Sequence, residues 1–211
     1  MKRSITHILL NNLLIIAAAC LLASCAPMPR TTTAPSLSAE AYLQMAANAQ
    51  GPEKQDYLLK ATNRYIQDRN PQAAQQILSQ INVATLPPTY QLKSQLLQAN
   101  IYVLNQKINQ AQQLLANLQN NNPSLPQSEA IALHQLLAYV YQRQNLPLQS
   151  IQQRVQLENL LGNNQAAKNK NLQKIAQHLQ GQSTQTLNQW LSETTDPTMQ
   201  AWIQLALITK E

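Results

Sequence analysis

Residues 65–78 read YIQDRNPQAAQQIL, and residues 102–115 read YVLNQKINQAQQLL. Both stretches begin with a tyrosine, carry an alanine nine positions later, and end on Gln-Gln followed by two aliphatic residues. A third, weaker copy covers residues 141–154, where a serine replaces the alanine. In each copy, apolar residues at helical spacing lie on both sides of a short polar break, which predicts a helix, a turn and a second helix. Repetition of such a unit is typical of helical-repeat proteins.

The spacing of the copies indicates the kind of repeat. Tyr102 follows Tyr65 by 37 residues, whereas tetratricopeptide repeats have a period of about 34 residues. The excess falls between the units, at residues 86–88 and 120–126, where proline and asparagine predict loops. We expect the small residue after each break to let the two helices approach, and the tyrosine to fill the space between units. The predicted fold is therefore all-α, with tetratricopeptide-like helical hairpins that form a short solenoid.

Helices are also predicted on both sides of the repeats. Ser38 precedes a carboxylate and an apolar stripe, which predicts a helix capped by the serine hydroxyl. Gly51-Pro52 predicts the end of that helix and the start of the next. Downstream, three helices are predicted: residues 163–180 with Gly181 at the C-terminal stop, residues 183–191, and a helix after Pro197. No segment has the alternation expected of a β-strand.

The composition excludes several classes of protein. Charged residues make up 11% of the chain, compared with about a quarter in soluble domains. Glutamine occurs 33 times, so neutral amides replace charges as the polar surface. Three glycines are too few for a doubly wound nucleotide-binding fold or an all-β sandwich. Two cysteines and three histidines do not supply the clusters that zinc or haem sites need, so we expect no cofactor and no metal.

The net charge of +6 is spread along the chain. Nucleic-acid-binding proteins concentrate lysine and arginine on one face, with aromatic residues among them. The densest basic stretch, Lys168, Lys170 and Lys174, is interrupted by amides and apolar residues, and we interpret it as a solvated helix face. We therefore expect no nucleic-acid partner.

The N-terminus has the layout of a bacterial lipoprotein signal. Lys2 and Arg3 precede a short, mostly apolar stretch over residues 8–22. A charged start followed by such a stretch is typical of a secretory signal peptide, whereas a transmembrane helix needs about 20 apolar residues. The chain then reads LASC at residues 22–25, which resembles the lipobox, a motif whose cysteine becomes diacylated. Cys20 is a weaker candidate, because alanine stands three residues before it.

The lipobox predicts three segments. Residues 1–24 are expected to be removed, Cys25 to carry the acyl chains, and residues 25–37 to form a flexible tether. The remainder, residues 38–211, is the predicted helical-repeat domain. Two acyl chains suffice for stable anchoring to a membrane. Alanine rather than aspartate follows the cysteine, which resembles outer-membrane sorting, so we expect a lipid anchor on the periplasmic side of the outer membrane.

No arrangement of side chains predicts an enzyme. His134 lies among aliphatic residues, where packing is the simpler role. His178 lies near a predicted helix C-terminus, where a partly protonated imidazole interacts well with the dipole. The nine carboxylates are scattered over different helices, whereas glycoside hydrolysis needs two that meet in a cleft. Glu53 and Asp56 share a helix face, but their place at a helix start accounts for them. We expect no catalytic residue and no small-molecule substrate.

The order of these features resembles one family. A lipobox and a tether are followed by SAEAYLQMA at residues 38–46, a helix ending at Tyr65, NPQAA at residues 70–74, Trp190-Leu191, and AWIQLA at residues 201–206. The set resembles the N-terminal domain of the LpoA family, the penicillin-binding protein activators, which are outer-membrane lipoproteins. The resemblance covers essentially the whole chain after the signal peptide.

The resemblance implies a lipoprotein that reaches toward peptidoglycan and activates a class A penicillin-binding protein, the synthase that polymerises and cross-links the wall. In the family, a C-terminal domain similar to periplasmic binding proteins makes the main contact with the synthase, and this sequence stops before it. We expect a fragment, or a short relative whose repeats make the contact. The alternative is a general envelope assembly adaptor or structural lipoprotein. Only Cys25 is carried over by motif, and no partner-binding residue is assigned.

Overall fold

The computed structural model describes residues 37–210, in which the regular structure consists of ten α-helices and a short 3₁₀ turn, Val83–Thr85. The helices are α1 Ala39–Asn48, α2 Gly51–Gln67, α3 Pro71–Leu78, α4 Pro88–Leu104, α5 Ile108–Asn121, α6 Gln127–Arg143, α7 Pro147–Leu160, α8 Gln165–Gln180, α9 Thr184–Glu193 and α10 Pro197–Ile208. No strand occurs in residues 37–210, and the all-α prediction is confirmed. The predicted signal peptide, residues 1–24, lies outside the described residues.

Three hairpins of the same build follow one another: α2–α3, α4–α5 and α6–α7. The first helix of each hairpin has 17 residues. It packs against its own partner helix, and the first helices of successive hairpins also pack against each other. The repeat predicted from the sequence is thus present in three dimensions, including the third copy, which is the weakest in sequence. That the hairpins follow tetratricopeptide geometry in detail stays a prediction.

Each hairpin turn ends its first helix in the same way. The residue four positions after the tyrosine has a left-handed backbone, with φ of 56° at Arg69, 59° at Gln106 and 58° at Asn145. The N–H of the following residue donates to the tyrosine carbonyl, with N···O distances of 2.8, 2.8 and 2.9 Å. This is a Schellman motif, which most often has glycine at the left-handed position. The tyrosine of the repeat therefore marks a fixed place in the helix cap.

Small side chains lie where the two helices of each hairpin meet. Six residues at equivalent positions are fully buried, three on the first helices (Thr62, Ala99, Ala138) and three on the second helices (Ala74, Ala111, Ser150). In the third hairpin the Ser150 hydroxyl donates to the Ala138 carbonyl at 2.8 Å. A larger side chain at one of these positions would overpack the contact between the two helices, which costs about 1–3 kcal/mol.

The core consists of three hydrophobic clusters along the chain. The first lies among α1 to α4, the second among α4 to α6 and the third among α7 to α10. The three tyrosines of the repeat are half-buried beside them, Tyr65 against the first cluster and Tyr102 and Tyr141 against the second. In the third cluster the pattern of packing changes, since α10 folds back against α7 and α8.

Most predicted helix boundaries agree with the structure, and a few differ. Ser38 caps α1 as expected, its hydroxyl accepting from the Ala41 N–H at 3.2 Å. α5 continues to Asn121, two residues into the predicted loop. α8 begins two residues later than predicted, because the Asn164 side chain accepts from the Ala167 N–H and caps it there. Gly181 ends α8 in a right-handed conformation, φ −71° and ψ −8°, so any L-residue could adopt its backbone.

Candidate functional site

The predicted lipidation site, Cys25, lies outside the described residues, and its modification stays a prediction. Within residues 37–210, no helix is long and apolar enough to cross a membrane. The same part of the chain has no cluster of three or more His, Cys, Asp or Glu side chains suited to hold a metal. The features that could bind a partner are two grooves and one basic cluster.

The first-helix groove, as we name it, lies across the first helices of all three hairpins, α2, α4 and α6. It has a volume of about 360 Å³, and its lining includes the charged residues Asp56, Lys60, Lys93 and Glu129. Asp56 and Lys60 form an ion pair at 2.6 Å. Because each hairpin supplies one wall, this groove exists only through the stacking of the repeats.

The two lysines of the first-helix groove each make a cation–π contact with a tyrosine ring. The Lys60 ammonium lies 5.4 Å from the centre of the Tyr57 ring, and the Lys93 ammonium lies 5.4 Å from that of Tyr90. Such contacts contribute about 0.5–1 kcal/mol at exposed sites. The hydrogen bond to Asp56 raises the pKa of Lys60 above its usual value. The groove thus presents positioned charges of both signs beside tyrosines, a surface suited to a polypeptide.

A second groove, the amide groove, lies among α3, α4 and α5 and has a volume of about 590 Å³. No charged residue lines this groove. Its lining includes six amide side chains, those of Gln75, Gln95, Gln98, Gln110, Gln113 and Asn117. Gln75 and Gln98 exchange hydrogen bonds across it, with N···O distances of 3.2 and 2.9 Å. Neutral donors and acceptors of this kind bind polar groups without electrostatic attraction, so binding here would depend little on salt.

The side chains weighed as catalytic have structural partners. His134 is half-buried, and its Nδ1 lies 2.8 Å from Gln153 Oε1, in keeping with the packing role. Glu53 accepts from the Tyr57 hydroxyl at 3.3 Å, and Asp56 pairs with Lys60. These contacts occupy the two carboxylates that share the start of α2.

A basic cluster of Arg154, Lys174 and His178 was missed in the sequence. Arg154 on α7 is buried, and the Asn171 amide on α8 donates to its backbone carbonyl at 2.7 Å. Lys174 and His178 follow Asn171 at helical spacing, on the face of α8 directed toward α7. Burial, Arg154 and Lys174 all lower the pKa of His178. The expectation that partial protonation of His178 is favourable is therefore not met, because burial and, to a lesser extent, the nearby cations lower its pKa.

The signal for this cluster was present in the repeat. When the three copies are aligned, Arg154 occupies the position of Leu78 and Leu115, both of which are buried. An arginine at a repeat position that is otherwise occupied by a buried leucine is unusual, and this difference could have identified the cluster. Lys174 was interpreted from the sequence as part of a solvated face, and its side chain is exposed in the structure. Partial burial and, to a lesser extent, the charge of Arg154 lower the pKa of Lys174.

Comparison with solved structures shows the same fold. The amino-terminal domain of LpoA from E. coli matches with a TM-score of 0.70 and 20% identity, covering 85% of this chain and 80% of that one. Full-length LpoA from Haemophilus influenzae matches with a TM-score of 0.67 and 20% identity, covering 81% of this chain and 31% of that one. At this level of identity the likeness concerns the fold alone.

Comparison with curated proteins and families extends the likeness to sequence. The penicillin-binding protein activator LpoA of Vibrio cholerae serotype O1 is 28% identical over 201 residues, which cover 92% of this chain. The chain spans about a third of that relative's length, 33%. The LppC lipoprotein family matches residues 32–211, that is, the tether end and all ten helices. The resemblance inferred from the sequence is confirmed, and the chain belongs to the LppC lipoprotein family.

Proposed function

We propose that this chain is a lipid-anchored, non-catalytic binding module on the periplasmic side of the outer membrane, where it activates a class A penicillin-binding protein in peptidoglycan synthesis. The observation that carries the proposal is the similarity to a penicillin-binding protein activator along almost the whole chain. The lipobox ending at Cys25 supports the anchor, and Ala26 supports sorting to the outer membrane.

The proposed mechanism is positional. Acyl chains on Cys25 hold the chain at the membrane, and the packed hairpins provide the binding surface. The first-helix groove is the proposed contact with the synthase, because its positioned charges and tyrosines suit a folded protein partner. Interfaces are enriched in tyrosine, and rim charges set the rate and orientation of association.

A reconstituted polymerisation assay tests the activation. Purified class A synthase is given its lipid-linked substrate with and without the purified full chain, and glycan-strand formation is measured. We expect a faster rate with the chain, and an unchanged rate would contradict the proposal for this chain. Lys93→Glu should weaken the effect several-fold, since it reverses a charge in the first-helix groove. Arg143→Glu is the matched control, because Arg143 is exposed and does not line that groove.

Capture from envelope extract separates the proposal from its alternative. The full chain should recover a class A synthase. Recovery of an outer-membrane assembly partner without any synthase would instead favour a general envelope adaptor.

Further alanine variants test the anchor and the absence of catalysis. Cys25→Ala should abolish labelling by a palmitate analogue, and persistent labelling would move the anchor to Cys20. Alanine at His134 and at Glu158, neither of which lines the first-helix groove, should leave activation unchanged, apart from any effect on folding that circular dichroism detects. A loss of activation in a folded variant would reopen a catalytic role.

A further inference from the structure

Arg154 is a buried cation without a counter-ion. Its side chain belongs to a residue only 6% exposed, and its Nε is fully buried and makes no hydrogen bond. Within residues 37–210, the ion pairs found are Lys60–Asp56 and Arg64–Asp68, and neither includes Arg154. Buried charges are normally paired, and a buried donor without a partner is unfavourable because it has lost its hydrogen bonds to water.

The fold does not require an arginine here. Leu78 and Leu115 occupy the same position in the first two hairpins and are buried, Leu115 completely. Replacing buried charged groups by apolar ones of similar volume is often neutral or stabilising. Packing therefore gives no reason for an arginine at this position.

The residues near Arg154 do not balance its charge. Lys174 and His178 lie on the neighbouring face of α8, near enough for the charge of Arg154 to lower the pKa of each. Glu158 lies one turn further along α7 but does not pair with Arg154. Burial raises the pKa of Glu158, and the charge that opposes this effect is that of Lys168.

A second buried atom without a partner belongs to Asn171 on α8. The Asn171 amide nitrogen is bonded to the Arg154 carbonyl at 2.7 Å, whereas the Asn171 Oδ1 is buried and has no partner. Of the two buried atoms without a partner, only the Arg154 Nε–H is a donor that an anion can complete, because the Asn171 Oδ1 is itself an acceptor.

We infer that Arg154, with Lys174 and His178, forms a binding site for a carboxylate group. The guanidinium offers a planar fork of N–H donors that matches the two oxygens of a carboxylate. Lys174 adds a mobile cation at the exposed rim, and a ring N–H of His178 is a further donor. A carboxylate carries one negative charge, so it costs less to desolvate against the single buried cation than a phosphate dianion does. The inference is independent of the proposed activation of a synthase.

An NMR titration with acetate tests the site. In a ¹H–¹⁵N spectrum of the purified full chain, the Arg154 Nε–Hε signal is assigned by its absence from Arg154→Leu. Sodium acetate is then exchanged for sodium chloride at constant ionic strength. We expect a saturable downfield shift of this signal, because the Nε–H gains a charged acceptor. Absence of a saturable shift would overturn the inference.

Matched variants locate the binding. Arg154→Leu should weaken acetate binding, followed through backbone signals of α8, at least about tenfold, the effect of losing a charged hydrogen bond. Arg154→Lys keeps the charge but not the fork, and should weaken it comparably even if the leucine variant misfolds. Arg143→Gln removes an exposed charge and should leave binding unchanged. Equal binding by wild type and Arg154→Lys would refute the fork, and tighter binding of inorganic phosphate would refute the assignment to a carboxylate.

Discussion

Gln106 offers the sharpest test of the hairpin turns. Its φ of 59° lies in the left-handed region, its side chain is exposed, and no hydrogen bond to that side chain occurs among the described residues. A left-handed residue with a Cβ costs about 1–2 kcal/mol. Glycine removes that cost but loses about 0.5–1 kcal/mol through the greater freedom of the unfolded chain. Gln106→Gly should therefore stabilise the fold by about 0.5–1 kcal/mol.

The same substitution elsewhere should have the opposite sign. Gln113 is exposed in the middle of α5, where glycine costs about 0.5–1 kcal/mol relative to a good helix former. Gln113→Gly should therefore destabilise, although residue type, exposure and hairpin are the same. Gln106→Val should also destabilise, because a β-branched side chain tolerates the left-handed region poorly.

Urea unfolding followed by circular dichroism measures all three variants. A change of about 1 kcal/mol corresponds to roughly 2–4 °C in Tm for a chain of this size, so thermal scans give an independent reading. If Gln106→Gly and Gln113→Gly shifted the midpoint in the same direction, the left-handed turn would not be the feature that Gln106 provides, and the Schellman geometry would be refuted.

Three further predictions address the core, a cap and a titration. Leu115→Ala, at a fully buried position, should cost about 2–5 kcal/mol; a loss below 1 kcal/mol in urea unfolding would contradict the packing of the second cluster. Asp196 accepts from the Thr198 and Met199 N–H groups at 2.8 and 3.3 Å, so Asp196→Ala should cost about 0.5–2 kcal/mol, and an unchanged midpoint would refute that cap. Burial and, to a lesser extent, nearby cations lower the pKa of His178 from 6.5. The unfolded chain therefore binds a proton at this histidine more readily than the folded chain does. As a result, the stability that the neutral histidine allows above pH 6.5 is lost as the pH falls through the folded pKa. His178→Gln should flatten this part of the pH profile of the urea midpoint, and an identical profile would count against the lowered pKa.

Local signals explain why much of the fold was predictable. The cap at Ser38, the break at Asn70-Pro71 and the repeated tyrosine act through residues three to nine positions apart, so they are visible in a short window of sequence. Boundaries were less accurate where a side chain competes for the cap, as Asn164 does at α8. The stop at Gly181 was placed correctly, although its backbone is right-handed and does not require glycine.

The candidate sites depend on contacts that sequence spacing does not report. The first-helix groove needs three hairpins side by side, and the basic cluster joins α7 to a face of α8 about 20 residues away. The protonation of His178 was predicted from its own helix, where the dipole favours the charged form. Burial and the charge of Arg154 on the neighbouring helix α7 both lower the pKa of His178, and these effects arise only from packing.

The sequence by itself determined the helical class, the three-fold repeat, the position of the turns and the resemblance to outer-membrane activators, because each rests on periodicity, capping residues or a linear motif. The tertiary structure decided which polar groups are buried and which lack partners. In the amino-acid sequence, Arg154 is marked only by its alignment with Leu78 and Leu115 in the other two repeats. It becomes an uncompensated charge only when α7 and α8 pack together and exclude water from its guanidinium.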